Sequence, residues 1–194
     1  MIIYIHGFNS SPASAKAQLL KARLETPGRG AEFAAPALPP SPAQAARLLD
    51  ALATRNPGAA LVGSSLGGYY ATWLAEKHGL KAVLLNPAVR PYELLSEFIG
   101  RQRRFYTDEE YDFTPQHVDE LRALEVERIV PARYLLIVAT GDEVLDYRRA
   151  VVRYRGCRSI VIEGGDHGLS NFASCLDAVL EFCGSAQPAP ARHE

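Results

Sequence analysis

The sequence predicts a protein of the α/β class, with a mainly parallel sheet covered by helices on both faces. Short runs rich in Val, Ile and Leu end at Gly, Pro or polar residues, and longer segments with helical periodicity lie between them. Strands that alternate with helices of about ten or more residues imply right-handed crossover connections. In such a sheet the functional side chains lie just beyond the carboxyl ends of the strands.

We expect six strands along the chain, at residues 2–5, 31–35, 59–63, 82–86, 134–139 and 159–163. Most of these runs are apolar throughout, which is typical of strands that are buried on both faces. The run at 31–35 is the weakest because it is rich in alanine. It is interpreted as an edge strand or as irregular structure.

Helices are predicted between and after these strands, at residues 16–24, 45–52, 66–78, 91–99, 115–127, 147–154 and 169–182. Ser41, Pro42 and Gln44 precede the second of them in the pattern of a capping box, with proline at the first helical position. Asp146 is placed to cap the helix that follows it. The residues Tyr69, Tyr70 and Trp73 are expected to pack in the core.

Two segments depart from this alternation, within what we expect to be a single domain at residues 1–185. Residues 101–114 are polar and aromatic, and they form either a solvated surface loop or part of a small lid spanning about 100–130. Residues 186–194 form a tail rich in Pro and Ala, which is expected to be disordered.

Composition argues against several classes of function. The formal net charge is −1 at pH 7, so the chain has no general attraction for nucleic acid. Its apolar runs are too short to insert into a membrane, and the start of the chain lacks the pattern of a signal peptide. The three cysteines, Cys157, Cys175 and Cys183, contain no CxxC pair and are expected to be reduced packing residues. These features predict a cytoplasmic protein.

A G-x-S-x-G motif lies between a predicted strand and a predicted helix, at residues 63–67. This is the context of a nucleophile elbow, in which a tight turn presents the serine hydroxyl at the N-terminus of the next helix. Ser65 is therefore the candidate nucleophile. The alternative for the motif alone is a turn rich in Gly and Ser that carries no chemistry.

The segment His6-Gly7-Phe8 directly follows the first predicted strand. In an elbow architecture the oxyanion hole combines the amide after the nucleophile with an amide from an early loop. These amides would be those of Leu66 and Phe8. Read in isolation, the segment is equally compatible with a plain tight turn in which His6 packs or forms a hydrogen bond.

A serine nucleophile needs a base and an orienting acid. His167 follows the last predicted strand in a glycine-rich loop, and Asp142 follows the strand before it. Their neighbours have other interpretations, since Asp166 is expected to form a turn and Glu143 to face solvent. The order Ser65, Asp142, His167 is that of the α/β-hydrolases.

On these residues the chain resembles the α/β-hydrolase superfamily and, within it, the YqiA-type esterases, which are related to the YcfP-like proteins. The resemblance covers roughly residues 1–182. Its most specific marks are the segments IYIHGFNSSP, GSSLGGYYATWLAE, NPAVRPYELL, TGDEVLDYR and IEGGDH. One departure is the segment Gly168-Leu169-Ser170, where a more aromatic stretch is expected, although Phe172 follows closely.

The resemblance implies a three-layer fold in reduced form, with about six mostly parallel strands and without the first two strands of the full superfamily sheet. It implies hydrolysis of a small-molecule acyl ester or thioester by Ser65, Asp142 and His167. No metal or organic cofactor is expected.

Two other functions stay open at this point. An acyl-CoA thioesterase or acyltransferase would use the same site, with Arg101, Arg103 and Arg104 either contacting phosphates or forming a solvated cluster. A non-catalytic binding protein would keep the hydrolase fold without its chemistry, because a fold does not determine a function.

Overall fold

A computed structural model describes residues 1–25, 33–107 and 109–184 of the chain. The strands within the described residues are β1 (Ile2–Ile5), β2 (Phe33–Ala34), β3 (Ala60–Ser64), β4 (Ala82–Leu85), β5 (Gly100–Arg103), β6 (Glu110–Phe113), β7 (Tyr134–Ala139) and β8 (Arg158–Ile162). Six of these form the main sheet, all parallel, in the order β2-β1-β3-β4-β7-β8.

The α-helices in the same residues are α1 (Ala15–Leu24), α2 (Pro42–Arg55), α3 (Leu66–His78), α4 (Pro91–Leu95), α5 (Pro115–Arg122), α6 (Tyr147–Arg153) and α7 (Leu176–Cys183). Short 3₁₀ turns lie at Ser96–Phe98, Pro131–Arg133 and Phe172–Cys175. None of the helices in the described part of the chain combines the length and apolar character needed to cross a membrane.

The sheet separates two hydrophobic clusters, because successive side chains of a strand point to opposite faces. Ile3 and Ile5 pack on one face with residues of α2 to α6, whereas Ile2 and Tyr4 pack on the other face with residues of α1 and α7. The four central strands are buried along their whole length. The predicted three layers and the mostly parallel sheet of about six strands are therefore confirmed.

Most predicted strands agree with the observed ones to within one residue at each end. The predicted strand at 31–35 corresponds to the two residues of β2 at the edge of the sheet, and residues 31 and 32 lie outside the described residues. The predicted tail at 186–194 also lies outside them. The Ser41 hydroxyl caps α2 as expected, because its Oγ accepts a hydrogen bond from the Gln44 amide at 3.2 Å.

Three helix predictions were too long. The segment expected to be helical at 169–182 begins with a turn, in which Leu169 has a φ of 50°, and α7 starts only at Leu176. Likewise α4 ends at Leu95 and continues as a 3₁₀ turn, and α5 ends at Arg122.

The segment at 101–114, expected to be a loop or part of a lid, contains a small hairpin. The strands β5 and β6 pair antiparallel, and Arg101 on β5 forms ion pairs with Glu110 and Asp112 on β6 at 3.0 and 3.6 Å. Asn9, in the loop after β1, holds the hairpin. Its Nδ2 donates to Gln102 Oε1 at 3.0 Å, and its carbonyl oxygen accepts from the Phe105 amide at 2.8 Å.

Candidate active site

Ser65 lies at the sharp turn between β3 and α3. Its backbone has φ 54° and ψ −120°, a conformation that non-glycine residues adopt at a cost and that is typical of functional sites. A Cβ on Gly63 would lie 2.3 Å from the Gly67 carbonyl oxygen, and one on Gly67 would lie 1.9 Å from the Ile5 carbonyl oxygen. The two glycines of the motif are therefore required by the close approach of α3 to β3 and β1.

A continuous line of hydrogen bonds connects the three residues predicted to act together. His167 Nε2 lies 3.1 Å from Ser65 Oγ, and His167 Nδ1 lies 2.9 Å from Asp142 Oδ2. Each residue follows a different strand, since Ser65 follows β3, Asp142 follows β7 and His167 follows β8. The side chain of Asp142 is 2% exposed and that of His167 is 22% exposed. The ring of His167 thus lies between a buried carboxylate and the serine.

The Asp142 carboxylate is held in its ionised form. Burial acts to raise its pKa, but hydrogen bonds from His167 and from the Leu145 and Val144 amides outweigh burial and place the pKa below its ordinary value. The two amides donate to Asp142 Oδ1 at 2.8 and 2.9 Å. Because an ionised carboxylate only accepts hydrogen bonds, it keeps the His167 proton on Nδ1 and leaves Nε2 free to accept one.

Two residues that the sequence reasoning missed fix the loop that carries His167. Glu143 is exposed, as predicted, but it does not only face solvent, since its Oε2 accepts a hydrogen bond from the His167 amide at 3.0 Å. Asn86 is buried at the end of β4, where its Nδ2 donates to the carbonyl oxygens of Asp166 and His167. Its Oδ1 accepts from the Ala139 amide at 2.9 Å.

The other carboxylates near the site have the structural roles that were expected of them. Asp166 forms a turn, because its side chain accepts hydrogen bonds from the amide and the hydroxyl of Ser170. Asp146 caps α6 by accepting from the Arg148 amide at 3.0 Å. Neither side chain forms a hydrogen bond or an ion pair with the His167 ring.

Of the other histidines in the described residues, two lie away from this site. His78 Nε2 is 2.7 Å from Asp50 Oδ1, and His117 forms a capping box with Thr114 at the start of α5. Tyr69 and Tyr70 are buried and Trp73 packs against the same hydrophobic cluster, which confirms their prediction as core residues. The three cysteines are free thiols.

The loop after β1 lies directly against the serine. A Cβ on Gly7 would lie 3.1 Å from the Ser65 Cβ, so glycine allows this close approach. The amides of Phe8 and Leu66, predicted to form an oxyanion hole, donate no hydrogen bond to another described residue. The Phe8 ring packs edge-on against Phe113, with ring centroids 5.2 Å apart.

His6 fixes the direction of the Gly7–Phe8 peptide. Its Nδ1 donates to the Gly7 carbonyl oxygen at 2.9 Å, and its Nε2 accepts from the Leu38 amide at 3.2 Å. Burial lowers the pKa of His6, consistent with a neutral ring that makes both bonds. Because the C=O and N–H of a trans peptide point in opposite directions, the Phe8 N–H points away from His6.

Two cavities meet at Ser65. One of about 520 Å³ has a mixed lining, in which hydroxyl groups and Lys16 lie among apolar side chains such as Leu19 and Phe172. The other, of about 410 Å³, is lined mainly by apolar side chains. Both cavities are bordered by Ser65, His167, Phe8 and Phe105. Phe105 belongs to the hairpin connection and is 74% exposed, so the hairpin segment forms part of the rim of the site.

Among the residues that the structure describes, no group of three or more His, Cys, Asp or Glu side chains is arranged to hold a metal ion. The groups gathered at the site are instead a hydroxyl, an imidazole, a carboxylate and two backbone amides.

Comparison with known proteins places the chain in a family and a fold. Residues 1–184 match the model of the uncharacterised protein family UPF0227. A UPF0227 protein of Vibrio parahaemolyticus is 27% identical over 191 residues, which cover 94% of this chain and 98% of that protein. A UPF0227 protein of Shewanella sp. (strain ANA-3) is 35% identical over 92 residues, or 47% of this chain and 45% of that protein.

Solved structures share the fold at low identity. Mouse alpha/beta hydrolase domain-containing protein 10 matches with a TM-score of 0.66 and 16% identity, over 93% of this chain and 88% of that chain. The carboxylesterase CesB of Bacillus subtilis matches with a TM-score of 0.56 and 18% identity, over 94% and 83% of the two chains.

These matches confirm the fold and the resemblance that were inferred from the sequence motifs. The chain belongs to the UPF0227 family and has an α/β-hydrolase fold.

Proposed function

We propose that the chain is a serine esterase that hydrolyses carboxylic esters through an acyl-enzyme. The observation that carries the proposal is the line of hydrogen bonds from Asp142 through His167 to Ser65, with Ser65 held in a strained turn at the start of α3. A binding site has no need of a general base aligned on a serine hydroxyl, whereas acyl transfer requires one.

In the proposed mechanism Ser65 Oγ attacks the carbonyl carbon of the ester while His167 Nε2 takes the hydroxyl proton. The Asp142 carboxylate stabilises the imidazolium, and the Phe8 and Leu66 amides stabilise the oxyanion. His167 then gives its proton to the departing alcohol oxygen as the ester bond breaks. A water molecule, deprotonated by His167, attacks the acyl-enzyme, and the acid leaves as Ser65 regains its proton.

The surroundings of Ser65 support a carboxylic ester as substrate. The apolar cavity beside Ser65 offers side chains such as Leu94, Leu95 and Phe98 to an acyl chain. The Bacillus subtilis protein of the same fold is described as a carboxylesterase.

A thioesterase or acyltransferase that recognises acyl-CoA receives less support. Arg101 is paired with Glu110 and Asp112, and Arg104 lies 2.7 Å from Glu109 and donates to the Leu38 carbonyl oxygen. Because these two cations already have partners on the hairpin or beside it, the contacts do not favour them as phosphate ligands.

Covalent labelling separates an esterase from a non-catalytic protein with this fold. A fluorophosphonate probe should modify wild-type protein at Ser65, leave Ser65→Ala unlabelled and react far more slowly with His167→Ala. Ser64→Ala is the matched control, because Ser64 is the adjacent residue and is buried, and it should be labelled like the wild type. No labelling of wild type, or equal labelling of Ser65→Ala, would reject the proposal.

A further inference from the structure

The two cavities that meet at Ser65 differ in chemistry. On one side the lining is apolar, and the two arginines at its edge are already paired, since Arg90 lies 3.0 Å from Glu125 and Arg149 lies 2.5 Å from Glu93. The lining on the other side, which we call the polar cavity, also contains apolar side chains but adds several hydroxyl groups and the side chain of Lys16. An ester placed over Ser65 would therefore extend one part into each environment.

Lys16 is a half-buried cation without a paired carboxylate. Its Nζ donates to the Gly168 carbonyl oxygen at 2.5 Å, and it forms no ion pair with a carboxylate of the described residues. Burial lowers the pKa of Lys16, and Asp166 and Asp142 raise it at longer range without cancelling that effect. A partly desolvated cation with no carboxylate in direct contact gains from binding an anion.

Hydroxyl groups around Lys16 add hydrogen-bond donors to the same cavity. Ser14 Oγ is buried and has no hydrogen-bond partner of normal geometry among the described residues. It lies close to Tyr4, whose pKa is raised by burial, and the Ser14 hydroxyl opposes that increase. Ser10 and Tyr106 also line this cavity, as does Ser170, whose hydroxyl already donates to Asp166. Hydroxyls beside an unpaired cation are suited to the oxygens of an anionic group.

From this arrangement we propose that the polar cavity is a subsite for an anionic group on the alcohol portion of the ester, bound by Lys16, while the apolar cavity holds the acyl chain. The inference rests on the proposed esterase function. It specifies the substrate class as esters of apolar carboxylic acids with alcohols that carry a negative charge.

The alcohol portion is assigned to the polar cavity because of His167. The departing oxygen must take a proton from His167 Nε2, and the residues that follow this histidine, Gly168 to Ser170, line the polar cavity and not the apolar one. Leu66, whose amide is proposed to hold the oxyanion on the acyl carbon, lines the apolar one.

The test uses two chromogenic butyrate esters, p-nitrophenyl butyrate and its ring-carboxylated analogue, which share the acyl chain and differ by a negatively charged carboxylate on the leaving group. Each variant is described by the ratio of kcat/KM for the charged ester to kcat/KM for the neutral one, which cancels the intrinsic reactivities. The variants are Lys16→Gln, which keeps a donor for Gly168, and Lys16→Arg, which keeps the charge. Lys21→Gln is the matched control, since Lys21 lies on the same helix with a side chain that is 50% exposed.

We expect Lys16→Gln to lower this ratio about tenfold, mainly through KM, and Lys16→Arg and Lys21→Gln to leave it within about twofold of wild type. A ratio that does not change in Lys16→Gln, including an equal loss on both esters, overturns the anionic subsite but leaves the esterase proposal standing. If neither ester is hydrolysed above the level of Ser65→Ala, the esterase function itself fails, and the subsite fails with it.

Discussion

Glu143 holds the backbone of His167, because its Oε2 accepts a hydrogen bond from the His167 amide at 3.0 Å. The preceding residue, Asp142, binds the ring of the same histidine through Nδ1. Two adjacent carboxylates of one loop thus position His167. Asp142 binds its ring, and Glu143 binds its backbone amide. The loop after β7 therefore determines both the orientation of the ring and the position of the residue that carries it.

Replacing Glu143 by Ala should lower kcat/KM for an ester about three- to tenfold, because one hydrogen bond at an exposed site contributes about 1 kcal/mol. Glu143→Gln keeps an oxygen that accepts from the His167 amide and should retain most of the activity. Steady-state kinetics on both variants tests the role, and equal losses in Ala and Gln would instead assign it to the negative charge.

Asp142 should contribute stability that depends on pH. Its pKa in the folded protein is lower than its ordinary value of about 3.9, so ionisation favours the folded state above about pH 4, and this contribution is lost as the pH falls through the lowered pKa. Urea unfolding of wild type and Asp142→Asn should therefore show a larger stability difference at pH 7 than at pH 3. A difference that does not change with pH would contradict the assignment.

Gly67→Ala should destabilise the protein by about 3 kcal/mol or more, since its Cβ would lie 1.9 Å from the Ile5 carbonyl oxygen and the backbone must move. Gly58→Ala is the control. Unlike Gly67, Gly58 has a positive φ, of 78°, but its Cβ would meet nothing within 4 Å, so the cost should be about 1–2 kcal/mol of backbone strain. Denaturant unfolding measures both, and equal costs would show that the close contact is not decisive.

Asn86→Asp removes the two N–H donors to the His167 loop and keeps the oxygen that accepts from Ala139. We expect a loss of about 2–3 kcal/mol in stability, because two part-buried carbonyl oxygens lose the Asn86 donor and face a carboxylate oxygen instead. We also expect a fall in kcat of about tenfold as the loop shifts. Asn56→Asp makes the same chemical change far from the site, at a side chain that donates to Leu52, and should leave kcat unchanged. Unchanged kcat in Asn86→Asp would remove Asn86 from the positioning network.

The central strands and the elements after them could be predicted because each is determined locally. Runs such as Tyr134–Ala139 are apolar throughout, and the strand ends place Ser65, Asp142 and His167 at one edge of the sheet. The glycines of the elbow motif also carry a local signal, since only glycine permits the close approach that the structure shows.

The hairpin and the two positioning residues could not be predicted because their partners are remote in sequence. The hairpin strands contain few apolar residues and are stabilised by cross-strand ion pairs and by Asn9, 93 residues before Gln102. Glu143 and Asn86 were recognisable only as polar residues after a strand, and the bonds that define their roles reach a loop 24 to 81 residues away. The first part of the predicted helix at 169–182 forms a turn instead, in which the Asp166 side chain accepts a hydrogen bond from the Ser170 amide.

The most direct test of the account is hydrolysis of a series of p-nitrophenyl esters, from acetate to palmitate, by purified wild type and by Ser65→Ala. The account predicts turnover by wild type that falls by a factor on the order of 10⁶ in kcat in the variant. The chain-length profile would then measure the depth of the apolar cavity. Activity that survives in Ser65→Ala, or wild-type activity no greater than that of the variant on every ester, would contradict it.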